Sequence, residues 1–303
     1  MNRAELIFAV VDYACHIPQN YKFFKDISSC KNIAYDSHPL CQYDIYYRKT
    51  NSDKKMPVIF NIHGGGFVKG DKKHRRSLSE MYADKGYFVV NANYRLAPKA
   101  AFPTHIQDLF KALAQLPTLA EEYNLDLTKV IFTGDSSGAH AATTMVAALF
   151  NEELHSKLQL TKVDIKPAGL IAFSGFYDVT QALSRPIPFS IAWSVAQSIS
   201  GLKDLKKDFS NMSDFKLLDE INIINYVNEK WCPVLLSWSN KDIFCPGQGE
   251  KMKEVMESHN LDVVTHNSTS LLDNHCYHFN YWAKKSKEVL ALTFEFMKKI
   301  AEQ

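Results

Sequence analysis

The first group in this chain with chemistry to do is a serine hydroxyl set between glycines, in Gly134-Asp135-Ser136-Ser137-Gly138. The run before it, Lys129-Val130-Ile131-Phe132-Thr133, is apolar and β-branched and reads as a buried strand. The alanine-rich run after it, Ala139 to Phe150, reads as a helix. Strand, sharp turn and helix is the context in which G-x-S-x-G holds a nucleophile. The glycines two before and two after Ser136 allow a close approach that side chains would block. A helix starting at the serine turns its free N–H groups and positive dipole end toward whatever Ser136 attacks.

A serine hydroxyl is a weak nucleophile at neutral pH. It needs a base to take its proton and an acid to orient the base. Asp242 follows the apolar run ending at Trp238, in the polar turn Ser239-Asn240-Lys241-Asp242, where a loop past a strand would place an acid. Asp262 precedes a strand; Asp214, Asp219 and Glu220 fall in an irregular stretch; Asp273 is two residues from a histidine and would share its loop. The base is expected in Asn274-His275-Cys276-Tyr277-His278-Phe279, where position alone leaves His275 and His278 both open. His140, on the helix four residues past Ser136, reads as a packing histidine, and His63 as one that fixes a loop.

A second loop supplies donors. His63-Gly64-Gly65-Gly66-Phe67 directly follows the buried strand Met56 to Ile62. Open parallel sheets bind ligands at the carboxyl ends of their strands, and glycines there let backbone N–H groups face the ligand.

With Tyr94-Arg95-Leu96-Ala97-Pro98 and Phe102-Pro103 between them, these motifs resemble the hormone-sensitive-lipase-like family of α/β-hydrolase esterases. The resemblance covers about residues 40 to 300 apart from one insertion. It implies that Ser136 attacks an ester carbonyl, that the histidine passes the proton to the leaving alcohol, and that Asp242 holds the imidazole. It further implies an oxyanion hole made by the N–H groups of Gly65, Gly66 and Ser137. The family's histidine motif is H-x-aromatic, which His275-Cys276-Tyr277 matches and His278-Phe279-Asn280 does not, so the resemblance favours His275. Ser137 and Cys276 depart mildly from the family's usual residues without removing a catalytic group.

The elements that must position these groups alternate. Strands are expected at 42–47, 56–62, 87–92, 129–133, 167–174, 233–238 and near 263–264. Helices are expected over residues 1 to about 30, around 102–116, at 139–150, 247–258 and 284–300. That alternation implies a mostly parallel sheet with helices on both faces, an α/β fold forming one domain over 1–303. By the resemblance, residues 1 to about 30 and 181–227 form a helical cap, and 31–180 with 228–303 the catalytic core. Phe67, Phe189 and Trp193 read equally well as walls of a substrate pocket and as core.

Composition fits this. The chain has 303 residues, 46% hydrophobic and 22% charged, enough for a sizeable core. The net charge of +2 points to neither nucleic acid nor an anionic membrane, and Lys72-Lys73-His74-Arg75-Arg76 reads as a solvated surface. The six cysteines show no metal spacing and read as reduced thiols. No metal or cofactor is expected, and the partner expected is a small-molecule ester. The short apolar run Leu6 to Val11 does not read as a signal peptide, and no run is long enough to span a membrane. The expectation is a soluble cytoplasmic hydrolase of short-acyl or aromatic carboxylic esters. An amidase, peptidase or formamidase on the same fold, a non-catalytic small-molecule binder, and a homo-oligomer stay open. Cys245 and Cys276 lie within three residues of Asp242 and His275, so their alkylation is expected to slow hydrolysis; full activity after complete modification of both would remove the idea.

Overall fold

The structure, a computed structural model, describes residues 2–49, 53–184 and 190–303. Eight strands form one sheet: β1 (Ile27–Ala34), β2 (Gln42–Arg48), β3 (Met56–Ile62), β4 (Phe88–Ala92), β5 (Leu125–Asp135), β6 (Pro167–Phe173), β7 (Val234–Ser239) and β8 (Val263–Ser268). Their order is β1-β2-β4-β3-β5-β6-β7-β8. β1 and β2 run antiparallel to their neighbours, and the other six are parallel.

The continuous apolar runs of the central strands follow from burial on both faces. Val58, Phe60 and Ile62 of β3 enter one core with Val130 and Phe132 of β5, while Ile59 and Ile131 enter the other. The helices, in chain order, are α1 (Arg3–Gln19), α2 (Arg76–Asp84), α3 (Thr104–Leu113), α4 (Leu116–Tyr123), α5 (Ser137–Leu149), α6 (Glu152–Lys157), α7 (Val179–Ser184), α8 (Ile191–Ser200), α9 (Leu218–Ile221), α10 (Gln248–Ser258) and α11 (Lys284–Glu302). α3, α4 and α5 cover the first core, and α2 and α11 the second.

Between β6 and β7 the described residues form helices and turns without a strand, as expected for the insertion. α1 packs on it: Asn2 Nδ2 donates to Ser198 Oγ at 2.8 Å, and the Ala4 N–H donates to Ser194 Oγ at 3.2 Å.

Three expectations need correction. The N-terminal helix ends at Gln19 instead of near residue 30, and Ile27–Ala34 is an edge strand. β1 alternates too weakly to be read alone, because most of its side chains are exposed and its order comes from pairing with β2. The helix expected around 102–116 is α3, which stops at Leu113, and a second, unexpected helix, α4, begins at Leu116 with Pro117 in its first turn, where a missing N–H is tolerated. The basic run 72–76 is not a solvated face, for only Lys73 is exposed. Lys72 Nζ meets Asp44 at 2.8 Å, Arg76 meets Glu80 at 2.8 Å, and Arg75 is buried against Asp135. Most of the acids that neutralise this run come from distant segments, which composition does not reveal.

Asp108 fixes the loop after β4. It is fully buried and accepts from Arg95 Nη2 at 2.6 Å, Nε at 2.8 Å and the Arg95 N–H at 3.0 Å. Asp108→Ala removes the hydrogen bonds that hold the partly exposed Arg95 and is expected to cost about 2 kcal/mol. A lower urea midpoint at unchanged slope would show it, and adding Arg95→Met should restore part of the loss.

Candidate active site

Ser136 closes β5 and precedes α5, with φ 54° and ψ −122°. For a non-glycine residue this is strained backbone, costing on the order of 1–3 kcal/mol. Its N–H is held by the Phe173 carbonyl of β6 at 2.8 Å. A Cβ on Gly134 would lie 2.4 Å from Gly138, and one on Gly138 would lie 2.2 Å from the Ile62 carbonyl of β3. One glycine therefore admits the returning helix, and the other admits the neighbouring strand.

Asp242 follows β7 and is buried. Its Oδ1 accepts from the N–H groups of Phe244 at 2.9 Å and Cys245 at 2.8 Å. His275, on the loop after β8, lies with Nδ1 2.8 Å from Asp242 Oδ2 and 3.0 Å from Oδ1. The ionised carboxylate only accepts, so Nδ1 carries the donated proton and Nε2 is left to act elsewhere. Asn274 Oδ1 accepts from the His275 N–H at 2.7 Å and the Ile243 N–H at 3.3 Å, tying the two loops together.

Burial opposes charge on both partners, yet the mutual attraction wins. Asp242 sits below its ordinary value despite desolvation, through the charge and hydrogen bond of His275 and the two backbone donors. Burial disfavours the His275 cation, but Asp242 holds its pKa well above 6.5.

Ser136 and His275 line one cavity of about 360 Å³ together with Gly65. The Ser136 hydroxyl itself makes no hydrogen bond among the described residues. The N–H groups of Gly65, Gly66 and Ser137 donate to no acceptor among the described residues. Gly66 and Ser137 are not among the residues that line the cavity, and a Cβ on Gly66 would strike the Phe8 ring of α1 at 2.4 Å.

The other histidines lie elsewhere. His278 is fully buried, stacks on Phe173 with centroids 4.1 Å apart, and has no hydrogen-bond partner on either ring nitrogen. Burial pushes its pKa down to about 3, which keeps it neutral. His63 stacks on Tyr94 at 4.5 Å, its Nδ1 donates to the Gly64 carbonyl at 2.8 Å, and its own carbonyl accepts from Tyr94 Oη at 2.8 Å. His140 Nε2 donates to the Ile221 carbonyl at 2.9 Å.

Among the other carboxylates, Asp273 accepts from Ser268 Oγ at 2.6 Å, Glu220 meets Lys157 at 3.2 Å, and Asp262 meets Lys299 at 3.2 Å. Phe67 and Trp193 pack into the core, and Phe189 lies outside the described residues. Phe8, Val11, Phe244, Leu272 and Trp282 form the apolar walls instead. Cys276 lines the cavity, whereas Cys245 is buried. Asp242, Cys245 and His275 offer donor atoms within 4.8 Å of one another. Burial pushes the Cys245 thiol up to about 12, so without a bound cation the sulfur facing the pair is protonated.

Sequence reasoning passed over Arg75 and Asp135. Arg75 Nε and Nη2 each donate to Asp135 at 2.6 Å, and Nη1 donates to Gln19 of α1 at 2.9 Å. The Gly64 N–H donates to the same Asp135 carboxylate at 3.3 Å. The guanidinium also lies 4.6 Å above the Phe279 ring. Both ionic side chains line the cavity. Asp135 stands in the middle of the serine motif, but only a fold shows that its partner is Arg75.

This sheet order, with a strained serine after β5 and an Asp–His pair after β7 and β8, is that of the α/β-hydrolase fold. The chain belongs to the BD-FAE family, whose model matches residues 43–256. The match and the fold agree with the likeness to hormone-sensitive-lipase-like hydrolases. Similar curated proteins include an esterase of Gibberella moniliformis, 33% identical over 36% of this chain and 35% of that protein. Another is LipM, a probable carboxylic ester hydrolase of Mycobacterium tuberculosis, 28% identical over 53% of this chain and 37% of its own length. The matched region thus spans about a third of these curated relatives. Among solved structures, Esterase B from Lactobacillus rhamnosis has a TM-score of 0.85 at 20% identity, covering 99% of this chain and 95% of that one. A bacterial heroin esterase has a TM-score of 0.78 at 17% identity, covering 98% and 92%. At those identities the likeness is one of fold. Among the described residues no helix is long and apolar enough to cross a membrane.

The raised His275 pKa fixes a sign. The ion pair contributes its full stability between about pH 4 and about pH 6.5, the unfolded aspartate and histidine values; it loses it as pH rises through the folded His275 value or falls through the lowered Asp242 value. A proton titration followed by NMR should place the His275 imidazole above 6.5. Asp242→Asn should move it down; an unshifted titration would show that Asp242 does not govern it.

Proposed function

We propose that the chain is a serine hydrolase of carboxylic esters. The observation that carries this is the His275–Asp242 hydrogen bond at 2.8 Å opening onto the cavity that Ser136 lines. The family match, and relatives described as esterases and a carboxylic ester hydrolase, support the reaction class.

Ser136 Oγ attacks the carbonyl carbon while Nε2 of neutral His275 takes its proton. The tetrahedral oxyanion receives N–H groups of Gly65, Gly66 and Ser137, which lack other acceptors. The imidazolium, held by Asp242, gives its proton to the departing alkoxide, leaving an acyl-Ser136 ester and free alcohol. Water then attacks the acyl carbon with His275 again as base, and Ser136 leaves with the proton restored. One oxyanion donor is worth ~10²–10³ in rate. A cavity of about 360 Å³ with apolar walls suits a short acyl or small aromatic group. An ester and its matched amide, assayed side by side, separate an esterase from an amidase or formamidase.

Ser136→Ala should abolish turnover and fluorophosphonate labelling without loss of fold. His275→Ala should lower kcat by roughly 10⁴–10⁶, a triad-sized loss. His278→Ala should act mainly on stability, through the cavity it leaves beneath Phe173. Because only neutral His275 accepts the proton, kcat/KM should rise with pH through a value above 6.5. Hydrolysis surviving Ser136→Ala would refute the mechanism.

A further inference from the structure

α1 carries an apolar stripe that the fold does not cover. Its polar side chains serve the protein: Asp12 Oδ2 accepts from the Gly70 N–H at 3.0 Å, His16 meets His74 at 3.0 Å, and Gln19 accepts from Arg75 at 2.9 Å. Its apolar side chains divide: Ala4, Ile7 and Phe8 pack against the core, while a second set faces out. Leu6, Val10, Tyr13 and Ile17 are 51%, 60%, 88% and 76% exposed, at spacings of four, three and four. That spacing is a single helical stripe. Water does not favour such a stripe, and an exposed apolar patch of this kind marks a surface that meets something apolar.

The stripe is not isolated. The remaining exposed large hydrophobic side chains among the described residues are Val11, Phe23, Ile243, Leu271, Leu272 and Trp282. Val11, Leu272 and Trp282 line the Ser136 cavity, with Leu272 92% and Trp282 57% exposed, so they form its mouth. Ile243 and Leu271 adjoin lining residues in sequence, and Trp282 stacks on Tyr21 at 4.2 Å. The exposed apolar surface therefore gathers on α1 and its extension and on the two loops that carry Asp242 and His275.

Charge on the same segments is basic. Arg3, Lys25 and Lys241 are exposed and Lys22 is half-buried, against exposed Asp26 and the half-buried Glu5 and Asp12, which are held by the Asn2 and Gly70 N–H groups. Lys25 and Lys241 each stand two residues from an exposed apolar side chain and pair with no acid among the described residues. The whole-chain charge of +2 averages this asymmetry away.

We propose that this face docks on an anionic phospholipid surface, with α1 lying in the interface and the mouth of the cavity opening into the lipid. The inference rests on the cavity being the active site. A second protein chain seated here would stop the mouth, whereas a lipid surface can hold the ester that enters it. Tyr and Trp at the rim with lysines beside them match the chemistry of a membrane interface. The substrate class narrows accordingly, to short-acyl esters of lipophilic alcohols whose acyl group enters the cavity while the alcohol stays in the lipid.

The test is flotation of the full chain with vesicles of phosphatidylcholine and phosphatidylserine, using the Ser136→Ala form so that binding is read without turnover. The chain should float, the tryptophan emission should shift to the blue, and salt should weaken the binding. Val10→Gln/Tyr13→Gln/Ile17→Gln should reduce partitioning by roughly tenfold or more, while p-nitrophenyl acetate hydrolysis by the Ser136-containing form stays within about twofold. Lys22→Gln/Lys25→Gln should also weaken binding, and it leaves the helix stripe untouched. Absence of flotation overturns the proposal, as does a concentration-dependent dimer that the triple substitution dissolves, since a second copy would then cover the face. Flotation by a chain that hydrolyses no ester would count against the esterase reading and leave the docking surface standing.

Discussion

One buried ion pair joins the parts of this molecule that must stay in register. Arg75 holds both carboxylate oxygens of Asp135 at 2.6 Å, and both side chains are almost fully buried. Asp135 is bonded in sequence to Ser136, so the guanidinium fixes the residue before the strained elbow. The same carboxylate accepts from Gly64, which sets the glycine loop against the elbow. Arg75 also reaches Gln19 on α1 and covers the Phe279 ring just past the histidine loop. Breaking a buried pair by removing one partner typically costs about 3–5 kcal/mol, because the other charge is left without compensation. That penalty keeps four chain segments from shifting independently at the point where sub-ångström placement matters.

The site uses two carboxylates that have separate partners. Asp135 is desolvated, yet the charge and hydrogen bonds of Arg75 hold it below its ordinary value. Asp242 is desolvated too, and His275 with two backbone N–H groups holds it down. Because Arg75 answers Asp135, that carboxylate is not left to compete with Asp242 for the imidazole. His278 shows the contrary case. It lies on the same loop, but neither ring nitrogen has a hydrogen-bond partner, so desolvation, helped by Arg75 and His275 against the pull of Asp135, keeps it neutral. Three residues of spacing thus separate a histidine suited to move a proton from one that fills a core.

What could be read from the chain follows from how local each signal is. The central strands were legible because burial on both faces leaves apolar runs such as Met56 to Ile62. The serine elbow was legible because its strain and close approaches demand glycine at fixed offsets. Asp242 and His275 were reachable because each follows a readable strand, although separating His275 from His278 needed the family likeness. β1 was missed because an edge strand is ordered by its neighbour. Arg75 was misread because a basic run looks alike whether water or a distant aspartate solvates it. The pocket walls could not be read for a similar reason: Phe67 and Trp193, which fitted wall and core equally, are core, while Phe8 and Phe244 reach the cavity from elements whose packing angle no local pattern states.

α1 shows why that angle matters. Taken alone, its apolar positions suggest a helix that buries one greasy face. In the fold, Asp12, His16 and Gln19 point to the core because buried groups there, the Gly70 N–H, His74 and Arg75, need partners. An unpaired buried donor costs about 1–3 kcal/mol, and more when charged. An exposed leucine or valine forgoes a similar stabilisation of about 1.5–3 kcal/mol. Orienting α1 by its polar side therefore satisfies these groups, of which Arg75 lines the Ser136 cavity, and leaves an apolar stripe facing solvent. A lipid surface would recover that apolar contribution without disturbing the polar one. On this reading the hydrogen bonds that complete the site also dictate which face of the molecule meets its substrate.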